Sequence, residues 1–263
     1  MSDLREHLIE ARLAGSVATT PGNTVANCEK LVAGKPNYTF GLSDWRSADV
    51  AEVRAVVAGL FGDAAVDGDP DGPGWIEPDA TLAAIESHRA KVADHARARS
   101  RVLLATGHPT GLLPHYMALG RALLDAGCDL LTALDNSWLV EGPDRRGLRF
   151  LGGVACAWTG GDLIHTHRSS YMEAMLAALE AEGRWPDLVL GDHGMAGAAI
   201  EGGIETVSIA DVNDPALFLA QARGRTESVM PIDDNLAPRL FEPVTAAILD
   251  GVTAPPPAKL PAW

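Results

Sequence analysis

Residues 102–126 read VLLATGHPTGLLPHYMALGRALLDA, and this stretch sets the fold of the chain. A short apolar run covers residues 102–105 and is followed by a turn that contains Gly107 and Gly111. From Leu112 to Ala126, leucines and alanines recur at the spacing of an amphipathic helix. The stretch therefore predicts a buried strand, a tight turn and a helix, which together begin a parallel β-α-β arrangement.

The same alternation continues to about residue 250. The further β-rich runs are 130–134, 188–190, 206–210 and 229–232, and the further helix-like runs are 171–182, 196–201, 215–222 and 241–249. Alternating strands and helices imply a parallel sheet with helices on both faces. We therefore predict an α/β fold, with a Rossmann-like, mostly parallel sheet flanked by helices over residues 101–250.

The first hundred residues have a different pattern. Apolar spacing predicts helices over residues 3–18 and 49–60, and a third helix from an N-cap at Asp79 towards Arg101. Residues 63–78 are rich in Gly, Pro and Asp and predict a loop or linker. We expect residues 1–100 to form a helical N-terminal segment or cap, and the proline-rich residues 251–263 to form an extended tail.

The charge balance and the cysteines exclude several functions. The chain has 263 residues, with 21 Lys and Arg against 35 Asp and Glu, so its formal net charge is −14. Such an acidic protein is not expected to bind nucleic acid or an anionic membrane through general electrostatics. No apolar stretch reaches the roughly 20 residues that a bilayer span needs. Three distant cysteines and the lack of a signal-peptide pattern favour a reducing cytoplasm.

Acidic residues follow most of the predicted strands. The carboxyl ends of parallel strands form the usual ligand site of an open sheet, so these acids are expected to converge there. Each acid alone also fits a helix cap or a turn. Together they would repel one another in a partly dry cleft, so either a positive group lies among them or several of them are protonated. The chain offers no nearby Lys for that role. We therefore predict a bound Mg²⁺ or Mn²⁺. The converging acids are Asp135, Asp192, Asp211, Asp214, Asp233 and Asp234, and all except Asp135 are candidate metal ligands.

The turn from Thr106 to Gly111 joins a strand to a long helix. Backbone N–H groups and the positive end of the helix dipole favour a phosphate or carboxylate at such a turn. The turn lacks the Lys-Ser/Thr of a Walker loop and does not match G-x-G-x-x-G, which argues against nucleotide triphosphatases and dinucleotide dehydrogenases. We expect Thr106, Gly107 and Gly111 to bind a substrate phosphate. His108 either contacts that ligand or hydrogen-bonds to backbone at the helix entry.

Two further groups of residues are candidates for binding and catalysis. His165 and His167 are two residues apart, which on a strand places both imidazoles on one face, as substrate or metal binding requires. A pair satisfied by ordinary contacts fits equally well. Asp192 and His193 are flanked by glycines, and an adjacent acid and imidazole suit general acid–base catalysis. We therefore expect His108, Asp192 and His193 to be catalytic.

A polar series that includes Asn23 and Lys30 follows the first helix. This series forms either an ordinary surface or a flap over the sheet edge. In the second case Asn23 and Lys30 would contact the substrate, and Lys30 would neutralise part of its charge.

Several common site motifs are absent from the sequence. Residues 67–78 begin like an EF-hand loop, but Pro78 occupies the position that requires Glu, so we do not expect calcium there. There is no G-x-S-x-G elbow and no H-E-x-x-H helix. Serine hydrolases of the α/β type and zincins are therefore excluded.

Four segments are similar to those of a known family. They are LATGHPTGL at 104–112, DLVLGDHGMAG at 187–197, ADVNDPALF at 210–218 and PIDD at 231–234. The segments resemble an actinobacterial family of proteins called phosphatases, and the resemblance covers most of the chain. It implies hydrolysis of phosphomonoesters without identifying a substrate. The expected function is thus a divalent-metal-dependent phosphatase of a small phosphorylated metabolite.

Two alternatives stay open at this point. Residues 107–109 and the helix that follows also resemble the first turn of two-Rossmann glycosyltransferases, although that turn normally opens the chain. A glycosyltransferase-like or sugar-nucleotide-binding enzyme is therefore one alternative. The other is a non-catalytic binder of a phosphorylated metabolite. The Leu- and Ala-rich helices also leave a homodimer open.

Overall fold

The computed structural model describes residues 2–252 of the chain. The predicted tail lies outside these residues from position 253 onwards. Within the described part, no helix is both long and apolar enough to cross a membrane.

The helices are α1 (Ser2–Glu10), α2 (Pro21–Val32), α3 (Pro36–Thr39), α4 (Val50–Phe61), α5 (Ala64–Asp67), α6 (Pro78–Ala98), α7 (Pro109–Ala126), α8 (Ser170–Ala181), α9 (His193–Glu201), α10 (Pro215–Ala222) and α11 (Glu242–Leu249), with 3₁₀ turns at Asp44–Arg46 and Pro238–Phe241. The strands are β1 (Gly15–Val17), β2 (Gly74–Ile76), β3 (Arg101–Thr106), β4 (Asp129–Leu130), β5 (Ser137–Val140), β6 (Arg146–Leu151), β7 (Val154–Trp158), β8 (Leu188–Asp192), β9 (Thr206–Ala210) and β10 (Ser228–Pro231).

The main sheet has eight strands in the spatial order β10-β9-β8-β3-β7-β6-β5, and β4 pairs with the start of β3. Strands β10, β9, β8, β3, β4 and β7 run parallel to their neighbours in that group. Strands β6 and β5 extend the sheet in antiparallel register. The predicted α/β fold with a mostly parallel sheet flanked by helices is therefore confirmed.

Alternate residues of the central strands face two different apolar layers. In β3, Leu104 belongs to the layer that contains α6, α7 and α11, whereas Leu103 belongs to the layer that contains α8 and α9. Successive side chains of a strand point to opposite faces, so a strand buried on both sides is apolar at every position. This is why the continuous apolar runs of the sequence form the centre of the sheet.

The N-terminal helices pack on the same core. Phe61 of α4 meets Phe218 of α10 edge to face, with ring centroids 5.0 Å apart. The guanidinium of Arg223, just after α10, donates to both carboxylate oxygens of Glu52 at 2.8 and 2.9 Å and to the carbonyl of Asp44 at 2.8 Å. One apolar cluster thus contains residues from both sides of position 100. The domain boundary at that position stays a prediction.

The start of the chain differs from the prediction. The helix expected over residues 3–18 ends at Glu10, and Gly15–Val17 forms a strand that pairs with Gly74–Ile76 of the predicted loop. Arg12 and Gly15 adopt positive φ values of 59° and 75°, which a right-handed helix cannot contain. Tertiary pairing therefore overrides the helical spacing of the apolar residues.

Three further predictions of secondary structure are wrong. The strand expected over residues 130–134 is limited to Asp129–Leu130. The strand suggested by the spacing of His165 and His167 is also missing, since the residues before them form only one bridge, between Trp158 and Leu163. Strands β5, β6 and β7 were not predicted; Arg146, Gly147 and Arg149 interrupt the apolar pattern of β6. The turn at Gly152 and Gly153, both at positive φ, was the available hairpin signal. Helix α6 also starts earlier than predicted, with Glu77 as its N-cap in place of Asp79.

Candidate functional site

The parallel strands end at one edge of the sheet, and that edge carries most of the candidate residues. Asp135 is the exception: it is exposed, and its Oδ1 accepts from the Phe150 amide at 2.8 Å in the antiparallel part. The expectation that Asp135 joins the other acids is therefore wrong, because β4 ends before it. The edge is built from Thr106 at the end of β3, Asp192 at the end of β8, Asp211 and Asp214 after β9, Asp233 and Asp234 after β10, and His165 and His167 in the loop after β7.

Asp192 is fully buried and uses both carboxylate oxygens locally. Its Oδ1 accepts from the Gly107 amide at 2.8 Å and from His193 Nδ1 at 2.7 Å. Its Oδ2 accepts from Thr106 Oγ1 at 2.6 Å. Because Nδ1 of His193 donates to Asp192, its Nε2 is the ring nitrogen that faces the rest of the site. Carboxylates orient metal-binding histidines in this way.

Nε2 of His193 faces two buried carboxylates. It lies 3.6 Å from Asp214 Oδ2 and 3.6 Å from Asp234 Oδ2. These separations exceed a hydrogen bond. They match the spacing of about 3–4 Å between two atoms that share one ion at about 2.1 Å each. These three residues form the first of two groups able to hold a metal ion, and we call them the ligand triad.

Charge is distributed unevenly within the ligand triad. Burial disfavours the imidazolium of His193, but Asp214, Asp192 and Asp234 outweigh burial and raise its pKa to about 10. Burial raises the pKa of Asp214 to about 7, although His193 opposes that shift. His193 is thus a positive group among the acids. Repulsion among these acids was expected to be relieved by a bound cation or by protonation of several of them. An imidazolium was not considered, because the pKa of an imidazole depends on contacts that a sequence does not show.

Asp211 and Asp233 lie beside the ligand triad, with their oxygens bound to protein groups. Asp211 accepts from Thr19 Oγ1 at 2.5 Å and from the Val212 amide at 2.7 Å, and burial raises its pKa well above the usual range. Asp233 Oδ1 accepts from the Asn235 amide at 3.0 Å. Their roles as metal ligands stay predictions.

Three more histidines adjoin the ligand triad. The ring of His165 stacks on His108 with centroids 4.4 Å apart, and its Nε2 lies 3.1 Å from Nε2 of His167. Nδ1 of His167 donates to the Asn37 carbonyl at 3.0 Å. Burial, followed by the charge of His193, lowers the pKa of both His165 and His167 to about 4. The two imidazoles meet as expected, but on a loop and not on a strand. His108, His165 and His193 form the second group that could hold a metal ion.

Two glycines bring the loop of residues 165–169 against the strand ends. A Cβ on Gly107 would lie 2.3 Å from the Thr166 carbonyl, and a Cβ on Gly194 would lie 2.4 Å from the His167 carbonyl. Real side chains cannot approach backbone so closely. The sequence signal for this contact was the pair of glycines beside reactive residues.

The amides of the predicted phosphate turn already have partners. The Gly107 amide donates to Asp192, and the His108 amide donates to Thr106 Oγ1 at 2.9 Å. At Gly111, a Cβ would lie 2.5 Å from the Asp234 carbonyl, so this glycine allows the β10 loop to reach α7. Phosphate binding by Thr106, Gly107 and Gly111 stays a prediction.

The polar series of α2 lies at the rim of the site. Asn23 Oδ1 accepts from Asn213 Nδ2 at 2.6 Å, next to Asp214. Lys30 Nζ donates to Tyr38 Oη at 3.2 Å and lies over the Tyr38 ring. Sequence reasoning missed Phe40, whose ring contacts His193 edge-on with centroids 5.5 Å apart. A lone Phe after a turn carries no signal that could have found it.

A family model described as phosphatase matches residues 1–255. The chain belongs to the phosphatase family. It is also 39% identical over 254 residues to the protein named Phosphatase SCO2771 of Streptomyces coelicolor, and the match covers 94% of each chain. The resemblance found in the sequence is therefore confirmed. The protein is a hydrolase that acts on phosphate esters, and its substrate is phosphorylated.

Family membership also decides between the open alternatives. The described residues contain one mostly parallel sheet of eight strands and the small β1-β2 pair, and so lack the second Rossmann domain that a two-domain glycosyltransferase would need. Hydrolysis of phosphate esters likewise replaces the hypothesis of a non-catalytic binder.

Proposed function

We propose that the enzyme is a divalent-metal-dependent phosphomonoesterase of a small phosphorylated metabolite. The ligand triad carries this proposal, because one imidazole nitrogen and two carboxylate oxygens lie buried within 4.8 Å of one another. Mixed nitrogen and oxygen ligands suit a divalent transition metal. Of the two ions expected from the sequence, the imidazole favours Mn²⁺ over Mg²⁺.

Two unpartnered atoms support a metal at this place. Asp234 Oδ2 and His108 Nδ1 are buried and make no hydrogen bond within the described residues. Buried polar atoms nearly always have a partner, and the exceptions often mark an ion or a functional group. Asp234 Oδ1 lies 3.4 Å from His108 Nδ1, so its two oxygens face two different histidines. The residues present therefore fit a metal ion.

The residues divide into distinct roles in this proposal. The ligand triad holds the ion, which when bound polarises a phosphoryl oxygen and lowers the pKa of a water molecule. Asp192 fixes the ring of His193 through Nδ1. His165 and His167, neutral at physiological pH, face the phosphate. Asp234 outweighs the effect of burial and raises the pKa of His108, so we assign the role of proton donor to His108.

Hydrolysis then needs one proton transfer from the protein. Water forms the new P–O bond, the ester P–O bond breaks, and the leaving oxygen takes a proton from His108 to become an alcohol. The proton that the attacking water loses afterwards restores the protonated His108. Phosphate and an alcohol are the products. In this assignment His108 is the general acid, while His193 serves as a metal ligand.

Metal removal tests the proposal. We expect dialysis against EDTA to abolish hydrolysis of a phosphomonoester panel that includes p-nitrophenyl phosphate, and we expect Mn²⁺ to restore it. Asp234→Asn keeps the shape of the side chain but removes one ligand charge, so bound Mn²⁺ per chain and activity should fall together. Asp135→Asn is the matched control and should retain both. Full activity of metal-free protein in chelator would overturn the metal assignment.

A further inference from the structure

Two adjoining cavities lead away from the imidazoles. One, of about 750 Å³, is lined by His165, His167 and Arg146. The other, of about 740 Å³, is lined by Lys30 and Lys35. Asn37, Tyr38 and Arg168 line both. The two cavities therefore adjoin, and together they are called the cleft, which lies next to the histidines of the site. Each has the volume of a small-molecule site.

The cleft is basic although the protein is acidic. Its lining includes four cations, and among the lining residues Asp144 is the only acid, while the whole chain has a formal charge of −14. A local excess of positive charge in such a chain attracts anionic ligands to one place. The four cations are Lys30, Lys35, Arg146 and Arg168.

None of these four cations forms an ion pair within residues 2–252. Lys30 Nζ contacts only the neutral atoms Asn27 Oδ1 and Tyr38 Oη, each at 3.2 Å. Arg146 Nη1 donates to the carbonyls of Asp144 and Arg145, both at 3.0 Å. By contrast, Arg223 and Arg225 both pair with acids. The cations of the cleft are thus left for an external anion.

On the basis of the proposed phosphatase function, we propose that the substrate carries a second anionic group, a phosphate or a carboxylate, in addition to the phosphate that is cleaved. Arg168, Lys35 and Lys30 bind this second group in the 740 Å³ cavity. A simple phosphomonoester has no group to place there and would leave the cations unpaired.

The position of Arg168 links this group to the reaction. Arg168 directly follows His167, on the loop that Gly107 and Gly194 allow to pack on the strand ends. The loop therefore holds the imidazoles and one anion-binding guanidinium in fixed relation. A guanidinium can donate two parallel hydrogen bonds to a phosphate or carboxylate, which adds geometric selectivity to charge.

Matched substrate pairs test the inference in the full-length enzyme with Mn²⁺. The pairs are glycerol 3-phosphate with 3-phosphoglycerate, which adds a carboxylate, and fructose 6-phosphate with fructose 1,6-bisphosphate, which adds a phosphate. We expect kcat/KM to favour a doubly anionic member by about tenfold or more, mainly through KM. Arg168→Gln and Lys35→Gln alter exposed side chains, so the fold should persist, and each should reduce that preference by about fivefold or more.

The control removes one positive charge elsewhere. Arg97 lies at the end of α6, near the start of β3 and so at the opposite edge of the sheet. Arg97→Gln should keep the wild-type preference. If Arg97→Gln reduces it as much as Arg168→Gln does, general charge explains the effect and the cleft assignment fails.

Binding separates the two proposals. Calorimetry in EDTA measures Kd for fructose 6-phosphate and fructose 1,6-bisphosphate without turnover. Tighter binding of the bisphosphate, lost in Arg168→Gln, supports the cleft even if no substrate is hydrolysed, in which case only the catalytic proposal fails. Hydrolysis of both members with equal kcat/KM and equal Kd overturns the second anionic group and leaves the phosphatase proposal intact.

Discussion

His193 is the residue that connects the acids of the candidate site. It lies at the strand-to-helix junction with a φ of 46°, a left-handed value that is unusual for a residue other than glycine. Its Nδ1 donates to Asp192, and its Nε2 faces Asp214 and Asp234. A single imidazole thus joins the orienting acid to the two acids of the ligand triad.

The first prediction concerns Asp192. Asp192→Asn keeps an acceptor for the Gly107 amide but removes the charge that orients His193 and favours ion binding. We expect metal affinity and kcat/KM to fall by about 10–100-fold, as for other residues that orient a metal-binding histidine. Metal titration and steady-state kinetics measure the two effects.

Asp187→Asn is the control for this change. Asp187 directly precedes β8, at the end remote from the site, where it pairs with Arg101 at 2.7 Å. We expect this variant to retain wild-type metal affinity. An Asp192→Asn protein that unfolds, or one that binds metal normally, would contradict the orienting role.

At the scale of elements, the contact between the 165–169 loop and the end of β3 decides whether the site forms. Gly107→Ala places a methyl group against the Thr166 carbonyl, so the loop must move. We expect a loss of about 1–3 kcal/mol in unfolding free energy, typical of overpacking, and a large loss of activity. Denaturant titration and kinetics provide the measurements.

Gly59→Ala is the matched control for that prediction. Gly59 lies within α4, and no heavy atom lies within 4 Å of the position of its added Cβ. Alanine should therefore stabilise the helix by about 0.5–1 kcal/mol and leave activity unchanged. If both substitutions change stability and activity equally, the close contact of Gly107 with the Thr166 carbonyl does not determine whether the site forms.

Much of the element pattern was accessible from the sequence because the buried parallel strands are continuously apolar. The runs at 102–105, 206–210 and 229–232 correspond to β3, β9 and β10, and every predicted boundary lies within one residue of the observed one. Strand β6 was missed because charged and glycine residues break its apolar pattern, whereas β7 is a short apolar run, VACAW, that pairs in parallel with β3 and was overlooked. The edge of the sheet that carries the acids followed from topology alone. The sequence did not show which carboxylate oxygens lack a partner, because Asp192 and Asp211 are bound by residues distant in the chain, such as Thr106 and Thr19.

At the scale of the whole molecule, Arg223 connects the N-terminal helices to the sheet layer. It binds Glu52 of α4 through two nitrogens and the Asp44 carbonyl through a third contact. We expect Arg223→Gln to reduce the unfolding free energy by about 1–2 kcal/mol, because the bidentate pair is partly shielded and several bonds are lost together. Thermal and denaturant unfolding measure this change.

Arg121→Gln provides the comparison. Arg121 pairs with Asp125 one helical turn away, and both side chains are well exposed. Such a pair contributes about 0.3–0.5 kcal/mol. If the two variants lose the same stability, Arg223 makes no larger contribution than an ordinary surface pair.

The buried ligand triad also affects the thermal stability of the enzyme. Burying Asp214 and Asp234 around one imidazole lowers the free energy of unfolding relative to an apolar cluster of the same volume. If these residues bind a cation as proposed, the melting temperature of the protein should rise with the concentration of that cation. Substitutions that replace these three residues by apolar ones would raise thermal stability and abolish catalytic activity.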